Sequence, residues 1–282
     1  DIDFESLCEA VQQAMEGERA GLYLSAAPRA CNVASIPLRI LGGLVKVCTR
    51  RTLDKPKRPT WNYELEVLIN TMRTSAWNGP RDIAALRAVT DIHIPPFMLD
   101  SSCLRCEAQA PRAPGAAEQP VPVEWVWPSA GWPEAPKWSL LQSHVRDGAT
   151  SSPRWLEQLR ASPVILYLHG GAYCLCNPGT HRGLLWPIVR QSQAFACVVD
   201  YRRPPDYSVS DAGEDALAAY LYILSLGVDP QRIVFMGDSA GGALCVSLLV
   251  AIRDGRCPGS PTPLPAAAVL LSPWVDVACD RE

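Results

Sequence analysis

Between residues 164 and 271, four short apolar runs alternate with longer stretches of helical periodicity. Val164–Leu168, Phe195–Val199, Ile233–Met236 and Ala267–Leu271 are each apolar throughout, the pattern of strands buried on both faces. Between the second and third runs, Leu217, Tyr220, Leu221 and Leu224 recur at three-and-four spacing and predict one face of a helix. Asp211 and Glu214 are placed to cap its start, and Gly227 and Pro230 to end it. Ala240–Arg253 is apolar nearly all round, which predicts a central buried helix with Gly255 where a C-cap is expected. Strand and helix alternating at this spacing build a parallel sheet with right-handed crossovers, an α/β fold.

Upstream the pattern changes. Phe4–Met15 and Tyr63–Met72 carry helical spacing, and Pro56 and Pro59 break the region between them. Residues 107–163 are rich in Pro, Ala, Ser and Trp, including Pro111, Pro114, Pro120 and Pro122. Val121–Trp127 alternates as a strand does, and most of the remainder reads as long loop or insertion. Three regions follow: a mostly helical one over 1–90, early strands with a Pro/Ala/Trp-rich insertion over 91–163, and the α/β core over 164–282. The most lipid-like stretch, Ile36–Val47, is interrupted by Arg39 and Lys46. It reads first as a buried or capping helix, with an interfacial helix, and so peripheral membrane contact through the N-terminal region, as the alternative. No apolar run reaches the roughly 20 residues of a spanning helix.

Composition narrows the classes. The 282 residues are 48% apolar and 20% charged, with 26 Lys+Arg against 29 Asp+Glu. This is a globular chain; whole-chain disorder, collagen, a coiled coil and a small disulfide scaffold are excluded, and the near-neutral charge argues against nucleic acid as main partner. Eleven cysteines, an odd number, lie scattered, several of them inside apolar runs. They read as reduced thiols of an intracellular protein, although the compartment is otherwise unassigned. The pair Cys103 and Cys106 forms a lone CxxC without the further ligands a zinc site needs, so no metal or cofactor is expected. The first residue is Asp1 rather than Met, so the natural N-terminus is expected upstream; no signal peptide is visible.

Two motifs carry chemistry. Gly237-Asp238-Ser239-Ala240-Gly241, followed by Gly242, joins a predicted buried strand to a predicted buried helix, the context of a nucleophile elbow. A turn that tight strains Ser239, and glycines two residues to either side remove the clashes. Ser239 then stands at a helix N-terminus, where negative charge is favoured. His169-Gly170-Gly171-Ala172 directly follows the first strand of the core. A glycine loop there can bring backbone N–H groups onto the oxyanion of an acyl-transfer intermediate. Gly170 and Gly171 are the expected donors, with Ala240 supplying the N–H after the nucleophile. His169 is expected to brace the loop rather than exchange protons, and Asp238 to support it.

At these residues the chain resembles the hormone-sensitive-lipase-like branch of the α/β-hydrolase esterases, over roughly Val164–Glu282. The loop at His169 resembles that family's HGGG, and Asp200-Tyr201-Arg202 the start of its DYRLAPE segment. Glu214-Asp215-Ala216 falls at the family's spacing, and Ser272-Pro273-Trp274-Val275-Asp276 resembles the segment after the next strand. The resemblance implies an α/β-hydrolase sheet, a serine nucleophile and an oxyanion hole, with an N-terminal helical cap that the first ninety residues could provide.

Departures are specific. Ala172 stands for the third glycine, and Arg203-Pro204-Pro205-Asp206 for LAPE; Pro187 lies inside the first crossover helix and predicts a late start or a kink. The fold orders its triad Ser, acid, His, yet His93, His144, His169 and His181 all precede Ser239, and Asp276 sits outside the acid's place. The expectation is a C-terminally truncated sheet lacking the triad Asp and His, with an unactivated serine and an open hydrophobic edge. His144 or His181 are the substitute bases to consider, His181 reading first as a capping or surface residue. The function implied is a serine carboxylic-ester hydrolase acting on uncharged, hydrophobic small-molecule esters, since no Arg/Lys cluster flanks the motifs. Trp61, Tyr63, Leu65 and Leu68 either shape an acyl pocket or are ordinary helix packing. The alternative is a non-catalytic ligand-binding module, or decayed enzyme, on the same fold; a prolyl-oligopeptidase-like peptidase is disfavoured because no propeller repeat is present. Oligomeric state stays open.

Overall fold

The computed structural model describes residues 83–91, 101–108, 120–128, 154–257 and 261–276. The predicted helices over Phe4–Met15 and Tyr63–Met72, the stretch Ile36–Val47, the candidate pocket residues 61–68, His93 and His144 lie outside them. The chain divides into two compact units, Asp1–Gly17 with Arg87–Glu282, and Glu18–Leu86; the sheet belongs to the first.

Helix α1 (Ile83–Thr90) precedes strands β1 (Ser101–Ala108) and β2 (Val121–Pro128), then helix α2 (Arg154–Ala161). The core continues β3 (Val164–Leu168), α3 (Pro178–Ser192), β4 (Phe195–Val199), α4 (Val209–Ser225), β5 (Ile233–Asp238), α5 (Ala240–Arg253) and β6 (Ala267–Leu271). The sheet order is β1-β2-β4-β3-β5-β6. Pairing is antiparallel from β1 to β2 and from β2 to β4, and parallel elsewhere. All four apolar runs are therefore strands, and two crossover units separate the glycine loop from Ser239.

From β3 the chain steps one way to β4 and then back past β3 to β5. Right-handed crossovers in opposite directions put their helices on opposite faces. Accordingly Leu185 and Val189 of α3 pack on Ile165, Tyr167, Ala196 and Val198. On the other face α2, α4 and α5 cover Val164, Leu166, Leu168, Phe195, Cys197 and Phe235. The direction reverses beside β3, and a crevice at the carboxyl ends of such strands is where α/β sheets place their sites.

Several expectations need correction. Val121–Trp127 is a strand, but only Pro122 is exposed in it. Val123, Trp125 and Trp127 enter the core under α2, while Glu124 meets Arg182 of α3 in a buried two-pronged pair at 2.6 Å on both oxygens. Helix α2, inside the expected loop, buries Trp155, Leu156 and Leu159; Trp155 rings lie 5.3–5.8 Å from those of Phe195, Trp125 and Trp127. Pro187 does not delay α3, which runs unbroken from Pro178. Pro178 at N1 suits the start, and the Thr180 hydroxyl bonds both the N–H and the C=O of Asn177, so one missing donor at Pro187 is tolerated. Helix α4 is covered on nearly all sides, its most buried stripe running through Ala212, Ala216, Ala219, Tyr220 and Ile223 rather than the predicted leucines. Ser208 and Asp211 form its capping box, whereas Glu214 turns to Arg202 at 3.3 Å. Strand β6, expected buried, exposes Val269 and Leu270, because among the described residues it pairs only with β5. Gly227 and Gly255 take positive φ just past α4 and α5, as expected of helix stops.

Candidate active site

The parallel register sets Leu168 beside Gly237, so the loop leaving β3 and the turn leaving β5 rise side by side. Ser239 adopts φ 50° and ψ −118°, a conformation an L side chain occupies at a cost of about 1–3 kcal/mol. Its N–H donates to Leu271 C=O (2.9 Å), and its C=O accepts from Trp274 (2.9 Å) and Ala243 (3.1 Å). The elbow is thus held by the end of β6, the Ser272–Asp276 segment and the first turn of α5. The glycines are required by contact. A Cβ on Gly237 would lie 2.5 Å from Gly241 O, and one on Gly241 2.0 Å from Leu168 O. Replacing Ser239 by glycine is expected to relieve the strain and, after the extra chain entropy of glycine is subtracted, to add about 1 kcal/mol of stability. Thermal unfolding would show a midpoint a few degrees higher; a lower midpoint would mean the serine side chain is stabilising.

In the glycine loop the direction of each peptide can be read from its partner, since a trans peptide points C=O of one residue opposite to N–H of the next. The Tyr201 hydroxyl donates to His169 C=O at 2.6 Å, and Gly170 N–H donates to Asp238 Oδ1 at 2.8 Å. Gly170 is therefore not a free oxyanion donor, a correction to the sequence expectation: the carboxylate before Ser239 has claimed its N–H. His169 Nδ1 meets Gly170 C=O at 2.8 Å, which makes it the donor and turns the Gly171 N–H the other way. Gly171 C=O accepts from Cys174 (3.1 Å) and Leu175 (2.8 Å), which turns out the Ala172 N–H. Gly171 and Ala172 carry φ of 121° and 51°; Ala172 thus sits in the left-handed region that favours glycine. The amides of Gly171, Ala172 and Ala240 are those left for a ligand.

Three side chains fix this arrangement. Asp238 Oδ1 also accepts the Tyr167 hydroxyl at 2.7 Å and lies 3.4 Å from His181 Nε2. Burial pushes the Asp238 carboxyl up, but the bonds from His181, Tyr167 and Gly170 outweigh it and hold it at about 2. His181, 13% exposed with Nδ1 2.8 Å from Thr180 Oγ1, is neither a cap nor a surface residue; it braces Asp238. His169 is wholly buried and its ring stacks on Tyr201 at 4.3 Å; burial lowers its pKa to about 3, against the opposing pull of Gly170 C=O. It stays neutral. Arg202, from the segment resembling DYR, donates to buried Asp215 and to Asp211, a role for Asp215 that spacing alone did not assign. Among the described residues, no group of His, Cys, Asp or Glu could hold a metal, Cys176, Cys245 and Cys257 are free thiols, no helix is long and apolar enough to cross a membrane, and no base is hydrogen-bonded to the Ser239 hydroxyl.

Residues 165–282 match the family model Abhydrolase_3, the alpha/beta hydrolase fold. The chain is 47% identical over 117 residues to the acetyl-hydrolase of Streptomyces hygroscopicus, covering 42% of this chain and 38% of that protein. Esterase LipU of Mycobacterium tuberculosis is 34% identical over 171 residues, 55% of each chain. Among solved structures, EstE5-PMSF shares 30% identity with a TM-score of 0.52, over 72% of this chain and 55% of that one. Over residues 165–282 the chain has the alpha/beta hydrolase fold and resembles hormone-sensitive-lipase-like esterases. The relatives it matches there are named as an acetyl-hydrolase and an esterase. The chain spans between 38% and 55% of the length of these two curated relatives. Within this fold, the elements missed from sequence are the partners reached through space: Asp238 for Gly170, His181 for Asp238, and Tyr201 for His169.

Proposed function

We propose that Ser239 is the nucleophile of a serine carboxylic-ester hydrolase acting on uncharged, hydrophobic small esters. The observation that carries the reading is a strained serine at a helix N-terminus beside two outward-turned loop amides that have no partner among the described residues. Ser239 Oγ attacks the acyl carbon, the carbonyl electron pair moves onto oxygen, and the amides of Gly171, Ala172 and Ala240 receive the oxyanion. Collapse expels the alcohol and leaves an acyl-serine for water. The base that takes and returns the proton lies outside the described residues: His169 is buried and neutral, and His181 is committed to Asp238 and Thr180. Arginines do gather near the loop, contrary to expectation, but Arg87, Arg202 and Arg203 are each paired with a carboxylate, so an anionic substrate is not called for.

Replacing Ser239 by alanine is expected to lower p-nitrophenyl acetate turnover at least about 1,000-fold. Wild-type protein, and not the alanine variant, should gain one sulfonyl group from PMSF on mass spectrometry; turnover unchanged in the variant would refute the assignment. The absence of a base among the described residues favours a second reading, a module that binds an apolar ligand without consuming it. Ester binding with neither turnover nor sulfonylation of the wild type would select that reading.

A further inference from the structure

The loop past Gly171 is strained at several points. Ala172, Tyr173 and Cys176 have φ of 51°, 63° and 66°, all non-glycine residues in the left-handed region, so the loop does not hold this path by backbone preference. Besides the burial of Tyr173 and the bonds to Gly171 C=O, a pair of arginines grips it. Arg87 of α1 donates Nε to Cys174 C=O at 2.8 Å, Nη2 to Pro204 C=O at 2.6 Å and Nη1 to Asp206 Oδ2 at 2.6 Å. Arg203 donates Nη1 to Cys176 C=O and faces Asp91 at 3.5 Å. Asp91 lies just past the end of α1, one turn beyond Arg87, and its N–H donates to Arg87 C=O at 2.7 Å. The clamp is therefore reciprocal: α1 sends a cation to the segment at Asp206 and receives one from it at Asp91, with the loop carbonyls gripped between. Arg203 stands where the DYRLAPE pattern has leucine, so this grip belongs to the chain's departure from that pattern.

Resting on the ester-hydrolase reading above, we propose that Arg87 and Arg203 are positioning residues of the oxyanion loop. With Cys174 C=O held by Arg87, the following N–H of Leu175 points the opposite way, where it donates to Gly171 C=O at 2.8 Å. That bond in turn aims the Ala172 N–H outward. Arg203 fixes the far end of the same turn at Cys176. The arginines touch no reacting atom; they set where two amides point, and a small misplacement of such donors costs rate rather than binding.

The test uses Arg87→Leu, Arg203→Leu and the conservative Arg203→Lys, each made in the full chain. Amide hydrogen exchange at Cys174 and Leu175 is expected to quicken about 10-fold or more in both leucine variants, because their acceptor at Gly171 is no longer fixed. Turnover of p-nitrophenyl acetate should fall about 10-fold in kcat with KM changed less than about 2-fold. Arg203→Lys, which keeps one donor for Cys176 C=O, should recover part of both losses. Unchanged exchange in both leucine variants overturns the clamp, whether or not ester is consumed. So does unchanged kcat in both when Ser239→Ala abolishes turnover. Turnover that survives Ser239→Ala would instead sink the ester-hydrolase reading, and exchange alone would then judge the arginines. If Arg203→Leu does not fold, Arg87→Leu and Arg203→Lys decide.

Discussion

Replacing Gly241 by alanine should abolish the folded α/β core, not merely its activity. The added Cβ would stand 2.0 Å from Leu168 O, 2.5 Å from Leu168 C and 2.6 Å from His169 O. All three are backbone atoms at the end of β3, so no rotamer change relieves the overlap, and α5 would have to leave the sheet. That helix buries Ala240, Ala243, Leu244, Cys245, Leu248 and Ile252 in the larger core cluster. Lifting it costs more than the roughly 4 kcal/mol that already marks an exceptional substitution, against a total stability of about 5–15 kcal/mol. Urea unfolding followed by circular dichroism should find no native baseline for Gly241→Ala. Gly242→Ala should be milder, because its Cβ would stand 2.9 Å from Pro273 Cβ and no nearer than 3.1 Å to backbone, an overlap smaller by almost 1 Å. A wild-type urea midpoint for Gly241→Ala would mean that α5 does not approach β3 so closely.

The same contact explains what could be read from the sequence. Val164–Leu168, Phe195–Val199 and Ala267–Leu271 match strands β3, β4 and β6 residue for residue; for β3 and β4 this is because a strand buried on both faces announces itself as an unbroken apolar run, whereas β6 is apolar yet exposed. The elbow was legible for a related reason: two glycines flanking a serine make sense only where backbone approaches backbone. The residues that aim the loop were not legible. Asp238 reaches Gly170 across 68 positions and Tyr167 across 71, and Arg87 reaches Cys174 across 87. Spacing along one element cannot encode such pairs. Gly170 was assigned as a donor because it is a glycine; a Cβ there would lie 2.2 Å from Asp238 Oδ2, so its smallness serves the carboxylate. Helix α2 escaped notice because Trp155, Leu156 and Leu159 make only two turns of pattern inside a Pro-rich stretch, and the aromatic cluster supplies the rest. His181 gave no sign of its partner either, since its ring meets Asp238 only after β3 and β5 are paired.

His169 should make the protein's stability fall steeply in mild acid. Its ring is wholly buried, and burial holds its pKa at about 3, whereas in an unfolded chain a histidine titrates near 6.5. Between those values the unfolded state takes up a proton that the folded state refuses. Stability therefore rises with pH through this window and is lost as pH falls below about 6.5, by up to about 1.4 kcal/mol per unit. By pH 4 the loss amounts to roughly 3 kcal/mol. Asp238 acts lower: held at about 2 against an unfolded value near 3.9, it stabilises above that value, and its contribution is lost as pH falls from there through about 2. The two windows separate the groups. Replacing His169 by asparagine keeps an N–H within reach of Gly170 C=O but removes the titration and the stack on Tyr201. That variant should be less stable than wild type at pH 7.5, and the gap should narrow as pH drops from 6.5 to 4. Denaturant midpoints for the two proteins measured across that range check the claim; parallel curves would mean the ring takes up its proton without leaving the fold. The consequence reaches the site, because the ring that refuses the proton is the one whose Nδ1 fixes Gly170 C=O and so turns the Gly171 amide outward. A protonated ring would need a second acceptor for Nε2, which has none among the described residues. Acid should thus disorder the oxyanion loop at the pH where it begins to cost the fold.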